Sequence, residues 1–403
     1  MDCLCSIFKR RRKQIATHVV AKLKKTTRTG RTPPPVYLKL WKHWSCRTVP
    51  DWSYVQEEVR SMPLAAFYTD KKYRGMLLLH FCCALNPPLE VVDCILQANP
   101  NAVSQRCSGA NITPLMIACG RNASPKVVRR LVRDEREAAL HVKDASGYTA
   151  IHWACQAVGT HKDVVRQLLL VDPTIANNRA DPTQHKKKGS LGRGKKRSNT
   201  HSTGGISPTD ILCGQLSWAT SRNHVCKNKN QWDKLRYILW ARFYGTLDYR
   251  TSHGCSTLHA ALALKCPQDV VDKATNEEAS FLSGTRDRFG NLPLHYAVQN
   301  HHLDIERTIP TLLDRFPAAA GCPDSQGRLP LVVALKHGCT WSKVVGKLLE
   351  LYPAAVSIPD KESGLDPFQL AVVHGKDIET MFLLLKAYPQ AIHAFSSSSS
   401  STS

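Results

Sequence analysis

Apolar residues recur along this chain in two alternating kinds of segment. The short kind is LPLHYA from Leu292, which returns as TPLMIA from Thr113, TAIHWA from Thr149, STLHAA from Ser256, LPLVVA from Leu329 and DPFQLA from Asp366. Weaker copies are LLLHFC from Leu77 and SPTDIL from Ser207. The long kind is LEVVDCILQANPNAV from Leu89, PKVVRRLVRDEREAAL from Pro125, KDVVRQLLLVDPTIA from Lys162, SKVVGKLLELYPAAV from Ser342 and IETMFLLLKAYPQAI from Ile378. Its apolar positions fall three and four apart, the spacing of one face of an amphipathic helix. It often ends at a proline, which cannot continue a helix. One unit therefore reads as turn, short helix, loop, longer helix, turn.

The second residue of each short copy stands at 78, 114, 150, 208, 257, 293, 330 and 367, so the intervals are 36, 36, 58, 49, 36, 37 and 37. Five of the seven intervals are one unit, and the other two are one unit plus an insertion. A unit of this size cannot bury its own hydrophobic face and must stack on its neighbours. The turns carry Asp144 with Gly147, Asp287 with Gly290, Asp324 with Gly327 and Asp360 with Gly364, residues suited to unusual backbone angles. Proline at 114, 208, 293, 330 and 367 suits the first turn of a helix, where no amide hydrogen is needed. Small residues at Ala118, Ala154, Ala261, Ala297, Ala334 and Ala371 let adjacent helices approach.

TAIHWA, LPLHYA and the D-x-x-G turns before them resemble the ankyrin repeat, whose signature is T-P-L-H-x-A. The resemblance covers about residues 52–395. It departs from the family in its period, 36 to 37 residues in place of about 33, and in Leu or Ser for Thr at several starts. It implies an all-α, ankyrin-like solenoid of about eight helix–turn–helix repeats with short turn tips. It also implies that His80, His152, His259 and His295 bond backbone between turns and units. Ankyrin-type partners are bound at the tips and on the exposed side of the first helix. Matched by place, the first-helix candidates are Phe81, Trp153 and Tyr296, and the tip candidates are Tyr148, Arg288, Phe289, Gln326 and Arg328. The expected partner is another protein, held on a concave surface; aromatic residues and arginine dominate such interfaces.

Charge divides the chain further. Its formal net charge is +23, of which residues 1–47 contribute +12 and residues 179–205 contribute +7. The repeats are thus nearly balanced, and the basicity belongs to two appendages. The expected layout is a basic disordered arm over 1–35, a capping segment over 36–51, the repeat array over 52–395 and a serine-rich tail over 396–403. A basic disordered loop over 180–205 and a second insertion over 219–231, placed between the two helices of one unit, interrupt the array. Tyr37, Leu40, Trp41 and Trp44 fall at helical spacing and suit a cap over the open end of the stack, with a membrane-surface or partner helix as the competing reading.

The loop holds Lys186, Lys187, Lys188, Lys195, Lys196 and Arg197, and the arm holds Lys9, Arg10, Arg11, Arg12 and Lys13. These clusters resemble nuclear-import signals for an import receptor. The same charges suit contact with nucleic-acid phosphates, and a merely solvated loop is the bland alternative. GSLGRGKK from Gly189 nearly spells a phosphate loop, but Lys196 stands where a magnesium-holding hydroxyl belongs. Cys3 and Cys5 beside the basic run offer acylation, a membrane-peripheral alternative.

The fifteen cysteines are an odd number without a secretory leader, and Cys83, Cys119, Cys155 and Cys213 recur at one place in the unit. They read as small buried hydrophobes, with no Cys-x-x-Cys pairing for zinc. No run is long and apolar enough for a membrane span, and no nucleophile or acid–base group departs from the repeat pattern. The expectation is a non-enzymatic intracellular scaffold, nuclear or cytoplasmic, monomeric, with no cofactor and no metal.

Overall fold

The computed structural model describes residues 33–46, 48–69, 74–180, 205–220, 225–247, 256–277, 284–300 and 304–391. They belong to two compact units, Met1–Leu247 and Asp248–Ser403. Every regular element among the described residues is helical. The first unit holds α1 (Pro35–Cys46), α2 (Trp52–Ser61), α3 (Leu78–Ala84), α4 (Leu89–Ala98), α5 (Pro114–Gly120), α6 (Pro125–His141), α7 (Ala150–Gln156), α8 (Lys162–Val171), α9 (Pro208–Thr220) and α10 (Val225–Tyr244). The second holds α11 (Thr257–Ala263), α12 (Gln268–Glu277), α13 (Pro293–Ala297), α14 (Ile305–Arg315), α15 (Pro330–Lys336), α16 (Gly346–Leu351), α17 (Pro367–Val373) and α18 (Ile378–Ala387).

All eight residues that set the sequence register, from Leu78 to Pro367, are the first residues of the short helices. The local cause is capping. The Thr113 hydroxyl accepts the Met116 amide at 3.3 Å, the Ser256 hydroxyl accepts the His259 amide at 3.1 Å, and the Asp366 carboxylate accepts the Gln369 amide at 2.8 Å. Each satisfies a helix-end donor that has no partner inside the helix. The second helices give way to short 3-10 turns that begin at Pro63, Pro100, Pro173, Pro317 and Pro353.

Within the first unit α3, α5, α7 and α9 stack in order, with α6, α8 and α10 as a second layer; within the second unit α11, α13, α15 and α17 do the same. Each unit buries the sixth place counted from the start of the short helix: Cys83, Cys119 and Cys155 in the first, Val298 and Leu335 in the second, all fully buried. Burial raises the thiols of Cys83 and Cys155 to about 12, so they are inert hydrophobes at neutral pH. Helix α1 lies on α3. Its Tyr37 donates to the Met76 carbonyl at 2.7 Å, and the rings of Tyr37, Trp41 and Trp44 stand 5.1, 5.8 and 6.0 Å from that of Phe81. Pairs of this geometry add about 1 kcal/mol each beyond area burial.

Both insertions have anchored edges. Ala180 and Ile206 form an antiparallel bridge, with amide-to-carbonyl distances of 2.9 and 2.7 Å, so the chain leaves the stack and returns to it at one place. Residues 181–204 between them, like residues 1–32 and 392–403, lie outside the described residues. The stretch 219–231 differs from its sequence expectation. Ala219 and Thr220 end α9, and Val225 to Gln231 form the first turns of α10, so the added residues lengthen two helices more than they add a loop.

The physical reason is a polar clasp along α10. Asn230 donates to the Thr160 carbonyl at 2.8 Å and accepts the Lys162 amide at 2.9 Å, and Gln231 donates to Val158 at 3.1 Å. Lys234, fully buried, donates to the carbonyls of Ala154 at 3.1 Å and Ala157 at 2.9 Å. Those carbonyls close the C-terminal turn of α7, where the helix has no internal donors left. Lys162 completes the clasp through Asp233 at 2.6 Å. Burial lowers the Lys234 amine to about 8, which still leaves it mostly protonated at pH 7, with its charge on the negative end of the helix.

Lys234→Ala is expected to destabilise the first unit by about 3 kcal/mol, through the cavity and the released carbonyls. Thermal unfolding measures this. Lys234→Met, similar in volume but without donors, isolates the capping part; a melting temperature equal to wild type would mean the carbonyl bonds contribute nothing.

Candidate functional site

The tips are built around the turn aspartates. Asp144 Oδ1 accepts the amides of Ser146 and Tyr148 at 2.8 and 2.9 Å, and Asp287 Oδ1 accepts those of Phe289 and Asn291 at 3.0 and 2.9 Å. Asp324 repeats the pattern with Gln326 and Arg328, both at 2.9 Å. A glycine closes each turn with positive φ, 80° at Gly147, 83° at Gly290 and 76° at Gly327, a region open to Gly at no steric cost.

The second oxygen of each aspartate takes a side chain from the same unit. Trp153 Nε1 donates to Asp144 Oδ2 at 3.0 Å, and the Tyr296 hydroxyl donates to Asp287 Oδ2 at 2.8 Å. Arg328 grips Asp324 Oδ2 through Nε at 2.9 Å and Nη2 at 2.8 Å. In the last unit Lys336 reaches forward to Asp360 at 2.8 Å. Burial opposes the charge on Asp360, but bonds from Lys336 and Ser363 outweigh it and hold the carboxyl at about 2. Burial, and then the bond to Asp287, raises the Tyr296 hydroxyl.

These contacts sort the residues singled out from sequence. Phe81 is fully buried under α1 and is not available to a partner; its place in the unit is apolar in nearly every repeat, and here the ring serves the cap. Trp153 and Tyr296 are half-buried and hold their own turns, and the Trp153 ring lies so near Gly120 that a Cβ there would stand 2.7 Å from it. Arg328 is bound to Asp324 in the same way. Tyr148 is half-buried with its ring edge-on to His152, 5.5 Å between centroids.

Arg288, Phe289 and Gln326 are exposed, and the Arg288 guanidinium lies 4.7 Å from the centre of the Phe289 ring. Their two turns are tied together, because Asn291 Oδ1 accepts the Ser325 amide at 2.9 Å and Arg286 donates to the Pro323 carbonyl at 2.7 Å. The basic residues Lys9 to Lys13, Lys186 to Lys188 and Lys195 to Arg197, together with Cys3 and Cys5, lie outside the described residues. The clasp residues Asn230, Gln231, Asp233 and Lys234 carry roles that sequence reasoning missed. Their signal was a run of polar residues inside a helix-forming stretch, with no repeat counterpart to compare.

The histidines form the frame between units. Their Nδ1 atoms accept the amides of Leu77 at 3.1 Å (His80), Thr149 at 3.2 Å (His152) and Leu292 at 2.9 Å (His295). Their Nε2 atoms donate to carbonyls beyond the unit: Ile112 at 3.3 Å, Ile206 at 3.2 Å and Cys322 at 2.9 Å. His259 follows, with Nδ1 against the Ser256 hydroxyl at 2.9 Å and Nε2 against the Asn291 carbonyl at 3.1 Å. A neutral imidazole with one donor and one acceptor satisfies both contacts. Burial is the main cause that lowers His80 and His152 to about 4.

A cleft of about 280 Å³ between α1 and α2 is lined by Lys39, His43, Asp51 and Tyr54 among others, but its polar groups are engaged. Lys39 sits 3.5 Å from the Tyr54 ring centre, His43 bonds Thr48 at 2.7 Å, and Asp51 caps α2. Among the described residues no cluster of three metal-ligating side chains occurs, and no helix is long and apolar enough to cross a membrane.

Helix pairs of one pattern, locked by one polar frame and differing at their tips, define a helical repeat protein. Residues 79–181 match the family model described as ankyrin repeats in three copies. That stretch of the chain therefore carries ankyrin repeats. No curated relative matches the chain. Among solved structures, it is similar to the ankyrin repeat domain of Bcl-3, titled a unique member of the IkappaB protein family. That match has 18% identity, covers 76% of this chain and 97% of that one, and has a TM-score of 0.27. So loose a superposition bears no weight on function.

Because folded His80 and His152 titrate near 4 and unfolded histidine near 6.5, their contribution is complete above pH 6.5. It is lost as pH falls from 6.5 toward 4, where the unfolded chain takes up protons first. Gln369 accepts the Asp366 amide at 3.0 Å in the place histidine holds elsewhere. The double variant His80→Gln with His152→Gln should therefore melt less steeply with pH over that interval than wild type. Parallel melting-temperature curves for the two proteins would refute the assignment.

Proposed function

We propose that this chain is a non-enzymatic scaffold that binds another protein through the tips of its repeats. Ankyrin repeats generally mediate protein–protein interaction. One observation carries the finer reading: Arg288, Phe289 and Gln326 are exposed on two linked turns, whereas Trp153, Tyr296 and Arg328 are half-buried against the turn aspartates. An arginine over an aromatic ring, on a rigid turn, is the kind of anchor that dominates interface energetics. Tyr148 is the corresponding tip candidate of the first unit.

The basic clusters give the scaffold its address. Lys186 to Lys188 and Lys195 to Arg197, with Lys9 to Lys13 in the arm, serve as nuclear-import signals read by an import receptor. A second reading rests on the same charges: the arm and the loop contact nucleic-acid phosphates while the repeats act as a platform.

Proximity labelling in cells separates these roles. The triple variant Arg288→Ala, Phe289→Ala, Gln326→Ala should keep the wild-type melting temperature and lose the proteins labelled by wild type; an unchanged set would refute the tip assignment. Alanine at Lys186 to Lys188 and Lys195 to Arg197 should shift the tagged protein from nucleus to cytoplasm. Unchanged localisation with a collapse of nucleic-acid affinity and of its salt slope would replace import by phosphate binding.

A further inference from the structure

The last described helix pair presents, uncovered, a surface that every earlier pair covers. The sixth residue of the short helix is 0% exposed at Cys83, Cys119, Cys155, Val298 and Leu335, 1% at Leu262 and 8% at Cys213, but 40% at Val372. At the seventh position Gly120 meets the Trp153 ring of the following pair and Lys336 reaches Asp360. Here it is Val373, 66% exposed. Helix α18 continues the patch with Ile378 at 81% and Phe382 at 62% exposure. Large apolar side chains grouped in this way mark an association surface.

The pattern of charge on α18 selects the occupant. Ile378, Glu379, Phe382 and Lys386 are all exposed. At about 100° per residue they fall within one arc of roughly 100°, with the acid one turn before Phe382 and the base one turn after it. Two such helices laid antiparallel about a two-fold axis near Phe382 bring Phe382 against its copy. Each Glu379 then faces the Lys386 of the other chain. Such a face is self-complementary in shape and in charge, as an isologous interface requires.

We propose that the chain associates with a second copy of itself through this end face, with α18 pairing antiparallel across the two-fold. Four apolar side chains from each copy are too few for an obligate dimer, so the association is reversible, in the micromolar range.

Sedimentation of the full-length chain over a concentration series up to about 100 µM tests this. The expected result is a monomer–dimer equilibrium. Phe382→Glu should raise the dissociation constant at least about tenfold, because it buries a charge against its own copy. Glu379→Lys and Lys386→Glu should each weaken the dimer, and the double exchange should restore it, since it only reverses the polarity of each pair. All three positions are exposed, so unchanged melting curves accompany these effects. A monomer at every concentration would overturn the proposal, as would association indifferent to Phe382, or a double exchange weaker than either single one. Coverage of the face by the chain's own residues 392–403 would give a monomer that associates only after their removal, and that result also overturns it.

Discussion

A helix pair of about 36 residues cannot cover both of its own faces, and the rest of this structure follows from that shortage. The short helix is apolar nearly all round because it is packed on two sides by its neighbours and on a third by its own partner helix. The column through Cys83, Cys119 and Cys155 records the constraint most directly. A small, unreactive side chain is needed wherever the next pair must approach closely, and burial keeps those thiols protonated. On the first described repeat another element meets it. Helix α1 covers Phe81 with three aromatic rings. The C-terminal pair leaves Val372, Val373, Ile378 and Phe382 exposed.

Stacking fixes distance but leaves the register of neighbouring pairs undetermined, and hydrogen bonds supply it. Each frame histidine links its own helix start to a carbonyl beyond its unit, so a slip of one pair past the next would strand a buried donor. The turn aspartates do the same work locally, with one oxygen on backbone amides and the other on Trp153, Tyr296 or Arg328. Asp287, His295 and Arg286, neighbours in one repeat, are thereby accounted for as frame. The residues proposed to select a partner, Arg288, Phe289 and Gln326, are exposed at the turn tips.

Much of the fold was legible because repetition averages out local ambiguity. A single TPLMIA is a weak signal, but eight copies in register placed every short-helix start on the residue where the structure has it. The candidate site was less legible. Phe81 occupies the same repeat place as Trp153 and Tyr296, yet it is fully buried because α1, from outside the repeat pattern, lies on it. Arg328 reads as a tip residue, and only its distance to Asp324 shows that it is bound there. The stretch 219–231 had no counterpart in other repeats, so nothing in the pattern indicated that Asn230, Gln231 and Lys234 would satisfy the loop after α7.

By itself the sequence determined the repeat, its period and the helical character of each segment, because these depend on spacing within about 36 residues, and the structural role of the histidines came from the ankyrin resemblance. Tertiary structure alone decided which exposed-looking positions are covered, which polar groups have partners and where a surface is left open. Those properties depend on contacts between residues 30 to 80 positions apart, such as Lys234 with Ala154 or Tyr37 with Met76. No local periodicity encodes such contacts.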